Sequence, residues 1–390
     1  MRIGIFTNVL VHPPTGIGWH VIHLLTHLSR IDRENEYLLF YRSGGRDGGE
    51  TPFCPDADNF TNVPVRAPDL FFRRFFRVFD RLLLPQAIER RRIDVFHGPN
   101  HYLPARRRAP QIVTYHDLAA ARMDLAETDR ATERQSLLRT LGRADRVISV
   151  TECTARDLRD EQVPLDRIDV IHQGANFDGV EPPGDALVAA TRRRFRIEGP
   201  PHILFVGSLV PRKNLGYLLH AYARLRSMTE ACPTLVLAGA DDAPEADRLR
   251  EQAGALGIAD GVVMTGYLTS DEVRGLYGGA AMLVLPSRYE GFGMTVLEAM
   301  AYEVPVIATR AGSLEEVVGD AGILVGLDDE SALAGAMARL LAEPQTAADL
   351  VRRGLERIGR FSWERCARRT LEVYRETVDI AAAGKGGAAA

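Results

Sequence analysis

Short apolar runs separated by longer helical stretches recur along the chain. In the first half the runs lie at 3–6, 38–41, 95–97, 112–115, 147–150 and 169–171. Strand alternating with helix in this way predicts parallel α/β winding. A second series at 203–206, 234–238, 262–265, 282–285 and 304–307 follows a turn-rich segment at 174–199. The pattern therefore predicts two doubly wound domains with a linker near 175–200. A helical pattern at 362–381 comes after the last core-like segment. Beyond it, AAAGKGGAAA has no bulky apolar group to bury, which predicts a mobile tail.

Residues 69–84, DLFFRRFFRVFDRLLL, place Phe72, Phe75, Phe76, Phe79, Leu82 and Leu83 on one helical face and Arg73, Arg77 and Arg81 on another. An aromatic stripe at this spacing ordinarily packs on its own sheet. A basic amphipathic helix also suits an anionic membrane surface, so peripheral membrane contact is the second reading.

Composition narrows the classes. With 390 residues, 46% hydrophobic, 26% charged and a net charge of −4, the chain is neither disordered nor collagen-like, nor a general nucleic-acid binder. Cys54, Cys153, Cys232 and Cys366 lie far apart. That spacing indicates no disulfide framework or zinc ribbon and fits a reducing cytosol. The start, MRIGIFTNVL, moves straight into a strand pattern and no run approaches a membrane span, so a cytoplasmic protein is expected.

The densest chemistry lies in EGFGMTVLE at 290–298, directly after the apolar run at 282–285. Gly291 and Gly293 allow a sharp turn that exposes backbone N–H groups. The helical composition from Met294 onward supplies an N-terminus suited to phosphate. Glu298, one helical step from Thr295, suits a ribose diol, and Glu290 suits sugar hydroxyls or a developing positive centre. A second segment, ILFVGSLVPRKN at 203–214, reads as strand, glycine turn and then the adjacent cations Arg212 and Lys213. Both segments follow strands, the place where doubly wound sheets bind ligands. Gly16-Ile17-Gly18 permits close backbone approach before a helix beginning around Trp19. Val21 stands where a nicotinamide-binding fingerprint wants a third glycine. Asp56-Ala57-Asp58 sits in a Pro- and Asp-rich loop and reads as solvent-facing. No His, Cys or carboxylate cluster has persuasive ligand spacing, so neither a metal nor another cofactor is expected.

Taken in order, these segments resemble the retaining glycosyltransferases of family 4, along nearly the whole chain. The resemblance is carried by FTNVLVHPPTGIG at 6–18, HGPNHYLP at 97–104, VTYHDL at 113–118, VISVTECTARDL at 147–158, VGSLVPRKN at 206–214, VVMTGYLTSDEVRGLY at 262–277 and LPSRYEGFGMTVLEAMAYEVPVIAT at 285–309. It implies GT-B architecture, two Rossmann-like domains facing across a cleft. The first spans about 1–185 and is rejoined by the helix 362–381, the second spans 195–361, and 382–390 form the tail. It also implies transfer with retention, by front-face attack in which the leaving diphosphate takes the acceptor proton. Glu290 would orient the donor sugar and Glu298 hold the ribose. Arg212 and Lys213 would meet the diphosphate charge beside Gly207 and Ser208. The backbone of Phe292, Gly293, Met294 and Thr295 would hold sugar and phosphate oxygens, with Tyr267 and Leu268 flanking the base. Gly16 and Gly18 would belong to a loop over the donor. Many relatives carry arginine where this chain has Ser208, which leaves the phosphate contacts of Arg212 less determined than those of Lys213. A lone histidine is more often structural, but the resemblance gives His116 a hydrogen bond to a sugar hydroxyl. His97 and His101 are weaker candidates for the acceptor pocket.

The expected function is a metal-independent hexosyltransferase. Its expected partners are a nucleotide-sugar donor, with GDP-mannose as the first choice, and a saccharide or lipid-linked saccharide acceptor of surface polysaccharide or glycoconjugate synthesis. UDP-glucose or UDP-N-acetylglucosamine would use the same phosphate and ribose contacts. An epimerase, a phosphorylase or a noncatalytic nucleotide-sugar sensor are the alternatives of another class.

Overall fold

The computed structural model describes residues 1–11, 16–44, 51–67, 77–123, 129–175, 182–240 and 244–387, with side chains as far as 383. The chain divides into two units, Met1–Gly174 with Ser362–Ala390, and Ala175–Phe361.

In the first unit the described residues form β1 (Arg2–Phe6), β2 (Glu36–Ser43), β3 (Phe60–Arg66), β4 (Val95–Gly98), β5 (Gln111–Tyr115), β6 (Arg146–Ser149) and β7 (Ile168–Val170). These strands make one sheet of order β3-β2-β1-β4-β5-β6-β7, parallel throughout. In the second unit, β8 (His202–Val206), β9 (Leu235–Ala238), β10 (Val262–Met264), β11 (Ala280–Leu285), β12 (Val306–Thr309) and β13 (Gly322–Val325) make a parallel sheet of order β10-β9-β8-β11-β12-β13. The winding reverses between β1 and β4 and again between β8 and β11. At such a reversal the loops leaving the carboxyl ends diverge and open a crevice. The loops after β8 and β11 are therefore the ones that matter in the second unit.

Unbroken apolar runs became the inner strands because helices cover both faces of a parallel sheet. Every residue of β5, β9 and β12 is buried. Two strands lie outside the expected set, and both are edges. β3 carries Pro64, which lacks an N–H and normally demotes a strand, yet an edge position tolerates it. β13 is the four-residue run Gly-Ile-Leu-Val, too short to stand out.

Two boundaries differ from expectation. The helix Asp185–Arg194, inside the expected linker, belongs to the second unit. It packs so closely on the helix Ser270–Gly278 that a Cβ at Gly275 would lie 2.1 Å from Thr191 Oγ1. At the other end, the helix that begins at Trp363 continues to Gly387 through part of the expected tail. Alanine has the highest helix propensity, so Ala381, Ala382 and Ala383 prolong a helix already under way without needing a core.

That last helix is bound firmly to the first sheet. Arg369 and Arg146 (β6) both bond Asp169 of β7, at 2.9 and 2.7 Å, and Tyr374 bonds His97 of β4 at 2.8 Å. Trp363 lies against Gly174, where a Cβ would come within 2.4 Å of the indole. One residue further on, the Ala175 N–H donates to Phe361 O at 3.4 Å, so the second unit begins and ends at one place.

Of the aromatic stripe, Phe79 is buried and packs near Phe6, with ring centroids 6.2 Å apart, as a core residue should. Val78 and Leu82 are exposed, as are Arg77 and Arg81. Phe72, Arg73, Phe75 and Phe76 lie outside the described residues. No helix among the described residues is long and apolar enough to cross a membrane.

Candidate active site

Two loops at the reversal of the second sheet bring a carboxylate and two cations together. Directly after β8 comes Gly207, whose φ of +151° disfavours a side chain. Its carbonyl oxygen would be 1.9 Å from a Cβ at Gly239. Ser208, exposed, follows. The turn Pro211–Lys213 and the left-handed Asn214 then lead into the helix Leu215–Met228, delivering Arg212 and Lys213. From the loop after β11 comes Glu290. Lys213 Nζ donates to Glu290 Oε1 at 2.6 Å and Arg212 Nη1 to Oε2 at 3.1 Å.

Lys213 and Glu290 are both buried, and separating either from its partner would strand an uncompensated charge. The loop is built to prevent that. Ser287 Oγ donates to Glu290 Oε1 at 2.6 Å, and Thr309 Oγ1 donates to Ser287 O at 2.5 Å. Ser313 donates twice to the Glu290 carbonyl, from N at 3.0 Å and from Oγ at 2.9 Å. This close approach needs Gly312, at φ +58°, where a Cβ would lie 2.5 Å from Glu290 O. Burial pushes the Glu290 carboxyl upward, but the charges of Lys213 and Arg212 and the bonds from Lys213 and Ser287 outweigh it. The net shift is below the ordinary carboxylate range. Glu290 is thus a fixed anion at neutral pH, suited to electrostatic work and not to donating a proton.

Beyond Glu290 the backbone turns at Gly293, φ +96°, into the helix Met294–Ala301, whose N-terminus has no side-chain cap. Phe292 is buried edge-to-face against Phe361, centroids 5.7 Å apart, which anchors the turn. Met294 and Thr295 are half-buried on the first helical turn. Unsatisfied N–H groups and the helix dipole give this end a partial positive charge. Farther along the same helix, half-buried Glu298 accepts from Tyr277 Oη at 2.9 Å. Tyr267 and Leu268 follow β10, with the Tyr267 side chain 84% exposed and open to stacking.

The remaining expected residues belong to the first unit. His116, after β5, is buried with both ring nitrogens engaged: Nε2 lies 2.8 Å from Pro99 O and Nδ1 3.1 Å from Gln173 Nε2. The Pro99 carbonyl can only accept, so the proton sits on Nε2. Burial, then the neighbouring His101, lowers its pKa to about 4. A sugar hydroxyl would have to displace one of these partners. His97 is likewise spent, on Tyr374 and on Thr114 Oγ1 at 2.8 Å, and His101 Nε2 accepts from the His116 N–H at 2.8 Å. The helix Gly16–Ile31 begins three residues before Trp19, with open space around Gly16 and with Gly18 buried. Residues 12–15 of that motif lie outside the described set.

The structure brings together the expected Glu290, Lys213 and Arg212 and adds Ser287, Gly312 and Ser313 around Glu290 and Tyr277 at Glu298, whose partners are set by tertiary register rather than by a motif.

The family model described as Glycosyl transferases group 1 matches residues 189–357, and the one described as Glycosyltransferase Family 4 matches residues 14–178. The chain is a group 1 glycosyltransferase of the family 4 kind. This glycosyltransferase is 29% identical over 388 residues to O-antigen chain mannosyltransferase B of Escherichia coli, covering 96% of the chain and 100% of that protein. It is 33% identical over 282 residues to the D-inositol 3-phosphate glycosyltransferase of Acidothermus cellulolyticus, covering 69% of the chain and 62% of that relative. Sucrose-phosphate synthase from Thermosynechococcus elongatus shares its fold, with a TM-score of 0.77 and 23% identity over 96% of the chain and 98% of that structure. The two Rossmann-like units of the glycosyltransferase are those of the GT-B architecture.

Proposed function

We propose that the enzyme transfers mannose from GDP-mannose to a glycan or lipid-linked saccharide, with retention of anomeric configuration and without a required metal. The observation that carries transfer from a nucleotide sugar is the buried pair of Glu290 and Lys213, with half-buried Arg212 on the same carboxylate, beside the uncapped helix at Met294. The end-to-end similarity to an O-antigen mannosyltransferase supports mannose and a surface-polysaccharide acceptor.

As the anomeric bond breaks, negative charge grows on the diphosphate. Buried Lys213 and half-buried Arg212, both held by Glu290, meet it without reorganising, as does the N-terminus of the Met294–Ala301 helix. Glu290 stays ionised throughout and steadies the positive character of the sugar, so the acceptor proton goes to the departing phosphate oxygen. Glu298 holds the ribose, and Tyr267 with Leu268 flanks the base. His116 shapes the first unit through Pro99 and Gln173. The exposed Val78, Leu82, Arg77 and Arg81 support cytoplasmic work at an anionic membrane face.

Turnover across GDP-mannose, UDP-glucose and UDP-N-acetylglucosamine tests the donor, and inactivity with GDP-mannose beside activity with another removes it. NMR of the product reads the anomeric configuration, chelation reads metal dependence, and co-sedimentation with anionic vesicles reads the membrane. The similarity to D-inositol 3-phosphate glycosyltransferases favours a second reading, a phosphorylated cyclitol acceptor, so inositol 3-phosphate belongs in the acceptor panel.

A further inference from the structure

Tyr277 is completely buried, and its hydroxyl donates to Glu298 Oε2 at 2.9 Å. Phenylalanine would fill the same space. The hydroxyl therefore earns its place through Glu298 and not through packing, since a buried hydroxyl without a partner costs stability.

Everything around the ring keeps it still. Tyr302 stacks on it, centroids 5.2 Å apart and planes at 20°. Its helix, Ser270–Gly278, starts in a capping box between Thr269 and Glu272, and Glu272 is held by Arg194 at 2.7 Å. The neighbouring turns touch their surroundings through glycine: a Cβ at Gly275 would lie 2.1 Å from Thr191 Oγ1, and one at Gly278 2.4 Å from Pro183 Cγ. A donor mounted on so confined a helix sets one rotamer of the glutamate it bonds. A carboxylate offers about four lone-pair directions, more than one hydroxyl uses, so Tyr277 can orient Glu298 without closing it to a vicinal diol.

We propose that Tyr277 is a positioning residue for nucleotide recognition, locking Glu298 in the orientation that receives the two ribose hydroxyls. The inference rests on the reading of Glu298 as the ribose ligand. Fixing a flexible carboxylate in advance removes a cost that binding would otherwise bear. The hydroxyl acts on affinity for anything carrying the diol and has no part in bond breaking.

Calorimetric titration of the intact enzyme with GDP and UDP, each beside its 2′,3′-dideoxy analogue, tests this in the parent, Tyr277→Phe, Glu298→Ala and the double variant. The expected result is that Tyr277→Phe weakens the intact nucleotide by about tenfold. It should leave the dideoxy affinity unchanged, which also shows that the variant is folded, and be silent in the Glu298→Ala background. KM for the donor should rise with kcat held within about twofold. If Glu298→Ala abolishes the preference for diol over dideoxy nucleotides while Tyr277→Phe affects neither or both alike, the positioning role is overturned and the ribose reading survives. If Glu298→Ala keeps the parent's preference for the diol nucleotide, the ribose reading falls and takes this inference with it.

Discussion

The two sheets share a winding pattern, and the loops after their strands hold opposite kinds of polar chemistry. In the second unit the reversal loops assemble full charges: Glu290 between Lys213 and Arg212, tied down by Ser287 and Ser313. In the first, β4, β5 and the helix Gly16–Ile31 collect imidazoles, with His20 edge-on to His116 at 4.6 Å and His101 stacked on Tyr115 at 4.8 Å. Burial holds His97 down at about 3 and His101 and His116 at about 4, so this set is neutral where the other is ionic. One topology thus gives crevices that either concentrate charge or suppress it. The loops decide which, since strand order is common to both.

The comparison breaks most sharply at Lys213. Lys213→Ala should lower kcat by roughly two to three decades in steady-state kinetics, the scale for removing one charge-stabilising donor. Glu298→Ala should instead act mainly on KM, and parent-like kinetics for both would refute the site. Next comes pH. The first unit's histidines have folded pKa values below the unfolded 6.5, so between about 6.5 and 4 the unfolded chain takes up protons that the folded one refuses. Stability of that unit should fall as pH drops through this window, by up to about 1.4 kcal/mol per pH unit for each histidine. Glu290, whose carboxyl is lowered from 4.5, contributes stability that is present above that value and lost only as pH falls through its lower folded value. Hydrogen exchange at pH 5 should therefore show the first sheet opening before the second, and simultaneous opening would erase the contrast.

A smaller effect is expected at Gly312, where Ala must adopt a positive φ and push on the Glu290 backbone. Activity should fall by about tenfold and the melting temperature by a few degrees, the scale of one to two kcal/mol of backbone strain. Smallest is Ser287→Ala, which removes one of three donors to an already paired carboxylate. A several-fold loss of kcat with little change in melting temperature is expected, since a single hydrogen bond is worth about 1 kcal/mol.

How much of this was visible beforehand follows from where each interaction gets its partner. The inner strands showed because burial on both faces demands continuous apolar residues, and β3 and β13 hid because an edge makes no such demand. Glu290 and Lys213 showed because each sits beside a glycine turn that follows a strand, Lys213 after Gly207 and Glu290 just before Gly291. That they bond each other depends on β8 lying beside β11, a register no local spacing encodes. Tyr277 closes one of the resembling segments but gave no sign of its partner, since a buried tyrosine at a helix end looks like any core aromatic until Glu298 is placed next to it. His116 was legible as a residue at a strand end, but its two internal bonds were not, because Gln173 arrives from 57 positions away.

The second unit enters and leaves at the hydrogen bond between Ala175 and Phe361, with Gly174 and Trp363 packed together just outside. In the terms of protein engineering it is a cassette: residues 175–361 have adjoining ends, so they can be excised as one piece, or given new termini elsewhere by closing that gap. The first unit can be resealed by a short splice from Gly174 to Ser362. Exchange of residues 175–361 between related enzymes therefore requires two cuts at one spot.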